Sequence, residues 1–127
     1  MSLRTSPCGR YKNVFLYFFD HVTHYEDKRD DLIIHGSELP FVLHFNTIFL
    51  HKTDKKMSDV MASYWGNFLM SSNPNSKKLG ITDLAQWPQY ENKSDEAINI
   101  VDYDNLKPIV GLKNKECDFW IHKWINL

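Results

Sequence analysis

Glycine is scarce in this chain of 127 residues, and its five copies stand at positions 9, 36, 66, 80 and 111. No two are four apart, so the Gly-x-Ser-x-Gly turn that presents a nucleophilic serine is absent. The same spacing excludes a phosphate-cradling P-loop and a Gly-rich dinucleotide turn. No Gly-Gly oxyanion loop occurs either. Cysteine is scarcer still. Cys8 and Cys117 match no zinc or redox spacing. They read equally as one long-range disulfide or as two unrelated thiols. Neither sign of charge is in excess: the formal net charge is −1 and both signs are scattered, which argues against a dedicated nucleic-acid binder with its basic face or stripe. The longest apolar run, residues 14–19, is far too short to span a membrane. Residues 1–13 carry Arg4, Arg10 and Lys12 but no apolar stretch, so they do not form a signal peptide.

Aromatic residues are what the chain has in quantity. They make up 14% of it, with four Trp and eight Phe, and so much aromatic surface needs a core or a partner to cover it. Length and composition suit one globular domain. Residues 1–13 read as a poorly ordered segment, which leaves 14–127 as the folded portion. Val14-Phe15-Leu16-Tyr17-Phe18-Phe19 does not alternate, as befits an interior strand buried on both faces. A second, short strand is expected over 97–101. A helical turn or two is expected around Leu39, Phe41, Val42 and Phe45.

The clearest element is a helix from about Asp54 to Met70. Val60, Met61, Tyr64, Trp65, Phe68 and Leu69 form a broad apolar stripe there, and Pro74 follows its end. Pro108 suits the first turn of a final helix. Along it Ile109, Leu112, Cys117, Trp120, Ile121, Trp124 and Ile125 recur at helical intervals. The Trp65/Phe68 and Trp120/Trp124 pairs read as packing surface.

Six histidines invite a metal reading, but none forms the His-Glu-x-x-His pattern of a helical zinc site. His21 and His24 fall in a charged connector and read as solvated. No metal or cofactor is expected. His35 follows an apolar approach and precedes Gly36, a placement suited to a general base. It needs an orienting carboxylate and a nucleophile, and Ser37 is too close in sequence to serve. Asn92-Lys93-Ser94 is a glycosylation sequon, meaningful only in a secretory compartment.

Several stretches together match one pattern in order. Phe15-Leu16-Tyr17-Phe18-Phe19-Asp20-His21 is followed by His35-Gly36-Ser37-Glu38-Leu39-Pro40-Phe41-Val42. Then come Met61-Ala62-Ser63-Tyr64-Trp65-Gly66-Asn67-Phe68 with Asn73-Pro74-Asn75, then Trp87-Pro88-Gln89-Tyr90, then Cys117-Asp118-Phe119-Trp120. In these motifs the chain resembles the C-terminal portion of the type-B carboxylesterases and cholinesterases, α/β-hydrolases that cleave carboxylic esters. The match runs from about Val14 to Trp124. It departs locally at Leu69-Met70-Ser71-Ser72 and at Leu43-His44.

The resemblance implies an α/β fold: a C-terminal fragment of an α/β-hydrolase, with one or two late sheet strands plus covering helices, incomplete as an independent fold. It implies that His35 is the base of the catalytic triad and that Glu38 supports the floor of the active site without being the triad acid. The triad runs Ser, Asp/Glu, His along this fold, so the nucleophile, acid and oxyanion donors are expected upstream of this chain. Cys117 matches a family disulfide cysteine, for which Cys8 is the partner available here. Family members are commonly secreted or held in the endoplasmic reticulum lumen.

Three functions follow as expectations. The first is an esterase fragment inactive alone, which meets a carboxylic ester only if the rest of the domain is supplied. The second is a binding or adhesion module, although non-catalytic relatives of that kind generally keep the whole domain. The third is one half of a split esterase whose partner is an upstream fragment. The isolated chain is expected to be marginally stable or aggregation-prone.

Overall fold

A computed structural model describes residues 13–24, 33–45, 51–91 and 93–125, and the side chains of 124 and 125 are outside it. Cys8, Asn92 and nearly all of the N-terminal segment lie outside the described residues. The element order is β1 (Tyr17–Phe19), α1 (Leu39–Val42), α2 (Lys52–Ser71), β2 (Glu96–Asp102), β3 (Asn105–Val110) and α3 (Asn114–Ile125). The three strands form one mixed sheet in the order β1-β2-β3.

The aromatic run yields a shorter strand than its composition suggests. β1 pairs in parallel with β2, with Tyr17 opposite Ile98 and Phe19 opposite Ile100. Phe15, Tyr17 and Phe19 project to one face and pack on the core, as the period of two requires. Leu16 projects to the other face and is 37% exposed. Phe18, on that same face, is half-buried with the Lys113 ammonium 5.7 Å from its ring, so among the described residues neither face of β1 is fully buried. Ile98 N–H donates to Leu16 O, and Asp20 N–H donates to Ile100 O. The even-numbered positions of β1 thus bond to β2. No described strand lies along its opposite edge.

The second half of the sheet differs from expectation. Residues 105–110 form a strand, not the start of a helix. The chain reverses through Tyr103-Asp104, and β3 pairs antiparallel with β2. Pro108 stands opposite Ile98. Because Ile98 spends its N–H on β1, Pro108 occupies a position facing away from β2. A strand tolerates proline there, since the missing N–H falls on the free edge. Gly111 then turns with φ +72° and Lys113 with φ +58°, and α3 begins only at Asn114.

α2 matches its periodicity closely. His51 caps its start, accepting from Thr53 N–H, and Ser72 ends it in the left-handed region. Met57, Val60, Met61 and Tyr64 are buried and meet Phe41, Trp87, Ile98 and Ile100 in the core. Leu69, at 82% exposed, does not share that face. Trp120 is half exposed and packs edge-on against Phe119, which is exposed as well. It is not the buried surface its spacing suggested.

The segment between α2 and β2 has no regular structure, and it is held by Asn67 and Tyr64, buried on α2, and by its own Asn75. Asn67 Oδ1 accepts from Lys78 N–H and Leu79 N–H, while its Nδ2 donates to Leu79 O. Asn75 pairs with both backbone groups of Trp87. Tyr64 donates its hydroxyl proton to Ala85 O at 2.7 Å, and burial holds that hydroxyl well above its ordinary pKa. Gly80 (φ +65°) crosses α2 so closely that a Cβ would stand 2.0 Å from Ser63 Oγ. Gly80→Ala is therefore expected to destabilise the fold by about 1–3 kcal/mol through overpacking and left-handed strain. A urea titration comparing its midpoint with that of the unmodified chain checks this.

Candidate functional site

Two groups of polar side chains bear on function, and only one was visible in the sequence. The first is the His35 turn. Ser37 N–H donates to Ile34 O, and Leu39 N–H donates to Gly36 O. The Ser37 hydroxyl donates to Ile34 O and accepts from Ile34 N–H, so it is committed to the turn. Gly36 adopts φ +83°, a left-handed position that favours glycine. The turn leads into α1, whose Pro40 suits a helix start. Phe41 anchors α1 in the core and packs at 5.5 Å from the Phe19 ring. Ser58 of α2 donates to Phe41 O.

The turn is thus tied to the end of β1 and to α2, but His35 itself is exposed. Among the described residues no carboxylate or hydroxyl meets its ring. Glu38, just before α1, is half-buried. Burial, then the negative charge of Glu38, raises the Tyr17 hydroxyl above its ordinary pKa. The sequence expected the apolar flanks to hold His35 in place, yet Ile34 is 68% exposed.

The second group is buried and was missed. His21, at the end of β1, is 2% exposed, and Asp54 in the first turn of α2 is fully buried. Asp54 Oδ1 lies 2.9 Å from His21 Nε2 and 2.8 Å from His24 Nδ1. Its Oδ2 accepts from His24 N–H at 2.9 Å. His21 Nδ1 lies 3.1 Å from Val101 O. Burial by itself would raise the Asp54 carboxyl, but the hydrogen bonds from His24 and His21 outweigh it and hold the carboxyl below its ordinary value. The carboxylate also sits at a helix N-terminus, where the dipole favours negative charge.

His21 and His24 are therefore not solvated connector residues as a pair. His21 is core, and His24 is its half-exposed neighbour. Their shared carboxylate lies 30 or more residues further along the chain, beyond the reach of any local spacing rule. The available signal was an acid in the first turn of the best-defined helix. Cys117 is exposed on α3.

The small mixed sheet with its helices is consistent with a fragment of an α/β-hydrolase. The carboxylesterase family model matches residues 3–120, and the chain belongs to that family of α/β-hydrolases. Among curated relatives, acetylcholinesterase of Electrophorus electricus is 29% identical over 119 residues, which cover 85% of this chain and 18% of that protein. Pyrethroid hydrolase Ces2e of Rattus norvegicus is 33% identical over 116 residues, covering 84% of this chain and 19% of that protein. Carboxylesterase 4A of Bos taurus is 31% identical over 113 residues, with coverages of 84% and 19%. The chain thus spans less than a fifth of the length of these relatives.

Proposed function

We propose that this chain is the C-terminal part of a serine carboxylic-ester hydrolase, that His35 is its triad base, and that it is inactive alone. The observation that carries the reading is the His-Gly-x-Glu turn without a reaction partner. The ring of His35 is exposed, and the sequence holds no Gly-x-Ser-x-Gly turn. A general base without nucleophile or oxyanion donors lacks both the covalent route and the electrostatic stabilisation that ester hydrolysis requires.

Two features favour completion by an upstream esterase fragment over an adhesion role. The outer edge of β1 carries no described strand, and a parallel edge of that kind is normally continued and covered. Beside it Phe15, Tyr17, Tyr64, Trp65, Phe68, Pro74 and Trp87 line an open aromatic groove. Left uncovered, that edge and groove leave the isolated chain marginally stable and prone to aggregate. Glu38, poised behind the turn and close enough to act on Tyr17, supports the floor of the completed site. The substrate of the completed domain is a carboxylic ester, as a pyrethroid hydrolase and a carboxylesterase among its relatives suggest.

The test is hydrolysis of a short-chain nitrophenyl ester by the purified chain and by the chain co-expressed with an upstream segment of a family esterase. The chain alone is expected to give no turnover above background. The co-expressed pair is expected to turn over, and His35→Ala in that pair is expected to lower kcat by about 10⁴-fold or more. Turnover by the isolated chain that His35→Ala abolishes would overturn the claim of inactivity. Lack of association between the pieces would remove the complementation reading.

A further inference from the structure

We propose that His21, His24 and Asp54 form a binding site for a borderline divalent transition cation such as Zn²⁺, which ties the end of β1 to the first turn of α2. The donor atoms, two imidazole nitrogens and a carboxylate oxygen, lie within 4.8 Å of one another. Two imidazoles and one carboxylate favour zinc, cobalt or copper over calcium or magnesium, which prefer all-oxygen sets.

The geometry around these donors is more specific than their proximity. His21 Nδ1 faces Val101 O at 3.1 Å. Once Nε2 gives up its proton to make room for a cation, Nδ1–H stays on that carbonyl and Nε2 turns a lone pair toward the cation. Metal-bound histidines are commonly oriented in this way, by a backbone carbonyl on the far ring nitrogen. Asp54 Oδ2 is fixed by His24 N–H. Both ring nitrogens instead converge on the single oxygen Oδ1, at 2.9 and 2.8 Å. Ligands about 2.0–2.1 Å from a tetrahedral cation stand about 3.3 Å apart. The two nitrogen–oxygen edges therefore need a few tenths of an ångström of expansion to take a cation, while the two ring nitrogens, within 4.8 Å of one another, close to that same separation around it.

Binding replaces the proton on His21 Nε2 and that on His24 Nδ1, and both leave to solvent. His21 and Asp54 are buried, while His24 is 51% exposed. The cluster is thus open on one side, where a cation can enter and a water can complete the coordination. The His51 ring stands 5.0 Å from that of His24 on the same side. Its Nδ1 is already occupied at the start of α2.

The experiment is a calorimetric titration of the chelator-stripped full chain with Zn²⁺, together with the visible spectrum of the Co²⁺ form. One equivalent is expected to bind with a Kd of about 10 μM or tighter, and Co²⁺ is expected to give the intense bands of a tetrahedral site. His24→Ala removes only the half-exposed ring and leaves the His21–Asp54 contact. It is expected to weaken binding by tenfold or more while leaving the circular dichroism spectrum unchanged. His44→Ala, which alters an exposed pair with Asp59, is expected to bind as the unmodified chain does. Zn²⁺ is also expected to raise the unfolding midpoint of the unmodified chain but not that of His24→Ala. Absence of saturable one-to-one binding would overturn the site, as would binding indifferent to His24→Ala or equally weakened by His44→Ala. Either result would leave a plain hydrogen-bonded His–Asp–His cluster. None of these readouts depends on esterase activity, so the site stands or falls apart from the role of His35.

Discussion

Asp54→Ala is expected to destabilise the fold by about 3–5 kcal/mol, the usual cost of breaking a buried charge pair by removing one partner. The loss is large because Asp54 is fully buried and serves three donors: the His21 ring, the His24 ring and His24 N–H. Without the carboxylate, the buried His21 ring keeps its carbonyl partner at Val101 but loses the acceptor at Nε2. The first turn of α2 also loses an acid that its dipole favours. Small domains are stable by only about 5–15 kcal/mol in all, so this one substitution removes about a fifth or more of the total. With a urea dependence of about 1–3 kcal/mol per molar, the midpoint is expected to fall by about 1–5 M or the cooperative transition to vanish.

Acid should have a related effect. The Asp54 carboxyl is held below its ordinary value in the folded chain, whereas unfolding returns it to about 3.9. The stability it contributes is complete above that unfolded value and is lost as pH falls through the lower folded one. The difference in unfolding midpoint between the unmodified chain and Asp54→Asn should therefore narrow as pH falls below about 4. A difference that stays constant down to pH 2.5 would mean that the carboxylate is not the group at work.

Trp87→Ala should cost a similar amount, about 3–5 kcal/mol, because it combines a large cavity with lost hydrogen bonding. Trp87 is 4% exposed. Its ring meets those of Phe15, Tyr17, Tyr64 and Trp65, with centroids 5.2–6.3 Å apart. Its indole N–H donates to Leu16 O at 2.9 Å, which ties the irregular segment to β1. Trp120→Ala is the contrasting case. That ring is half exposed, and its removal should change the stability by no more than about 0.5 kcal/mol. Chemical denaturation of the two variants side by side separates the roles. Equal losses would show that the two tryptophans are buried alike.

The parts of the fold legible in the sequence were those fixed by neighbours in sequence. α2 follows from a periodicity that twenty residues can display, and the turn at His35 from a Gly next to a Pro-containing helix start. β3 was not legible. Lys107-Pro108 reads as a helix start when taken alone, and only pairing with β2 makes an edge strand of it. Burial of β1 on both faces was overread for a related reason. A continuous apolar run reports what a strand can bury, whereas the cover must come from elsewhere in the fold. His35 became a candidate base only through the resemblance of several ordered motifs, and its reaction partners could not be read from local residues. The His21–His24–Asp54 cluster was hidden because it joins a strand end to a helix start across a separation of 33 positions.

The outward-facing proline at the edge of β3 gives the sheet a direction. A strand approaching that side meets a position that cannot donate and gains one hydrogen bond fewer where Pro108 stands. A strand approaching β1 meets backbone groups at Phe15, Tyr17 and Phe19 that no described strand pairs, flanked by aromatic rings. The two flanks are therefore unequal, the β3 flank being the less receptive by one donor. Two copies meeting edge to edge would join through their β1 flanks, and an upstream fragment would compete with them for the same flank.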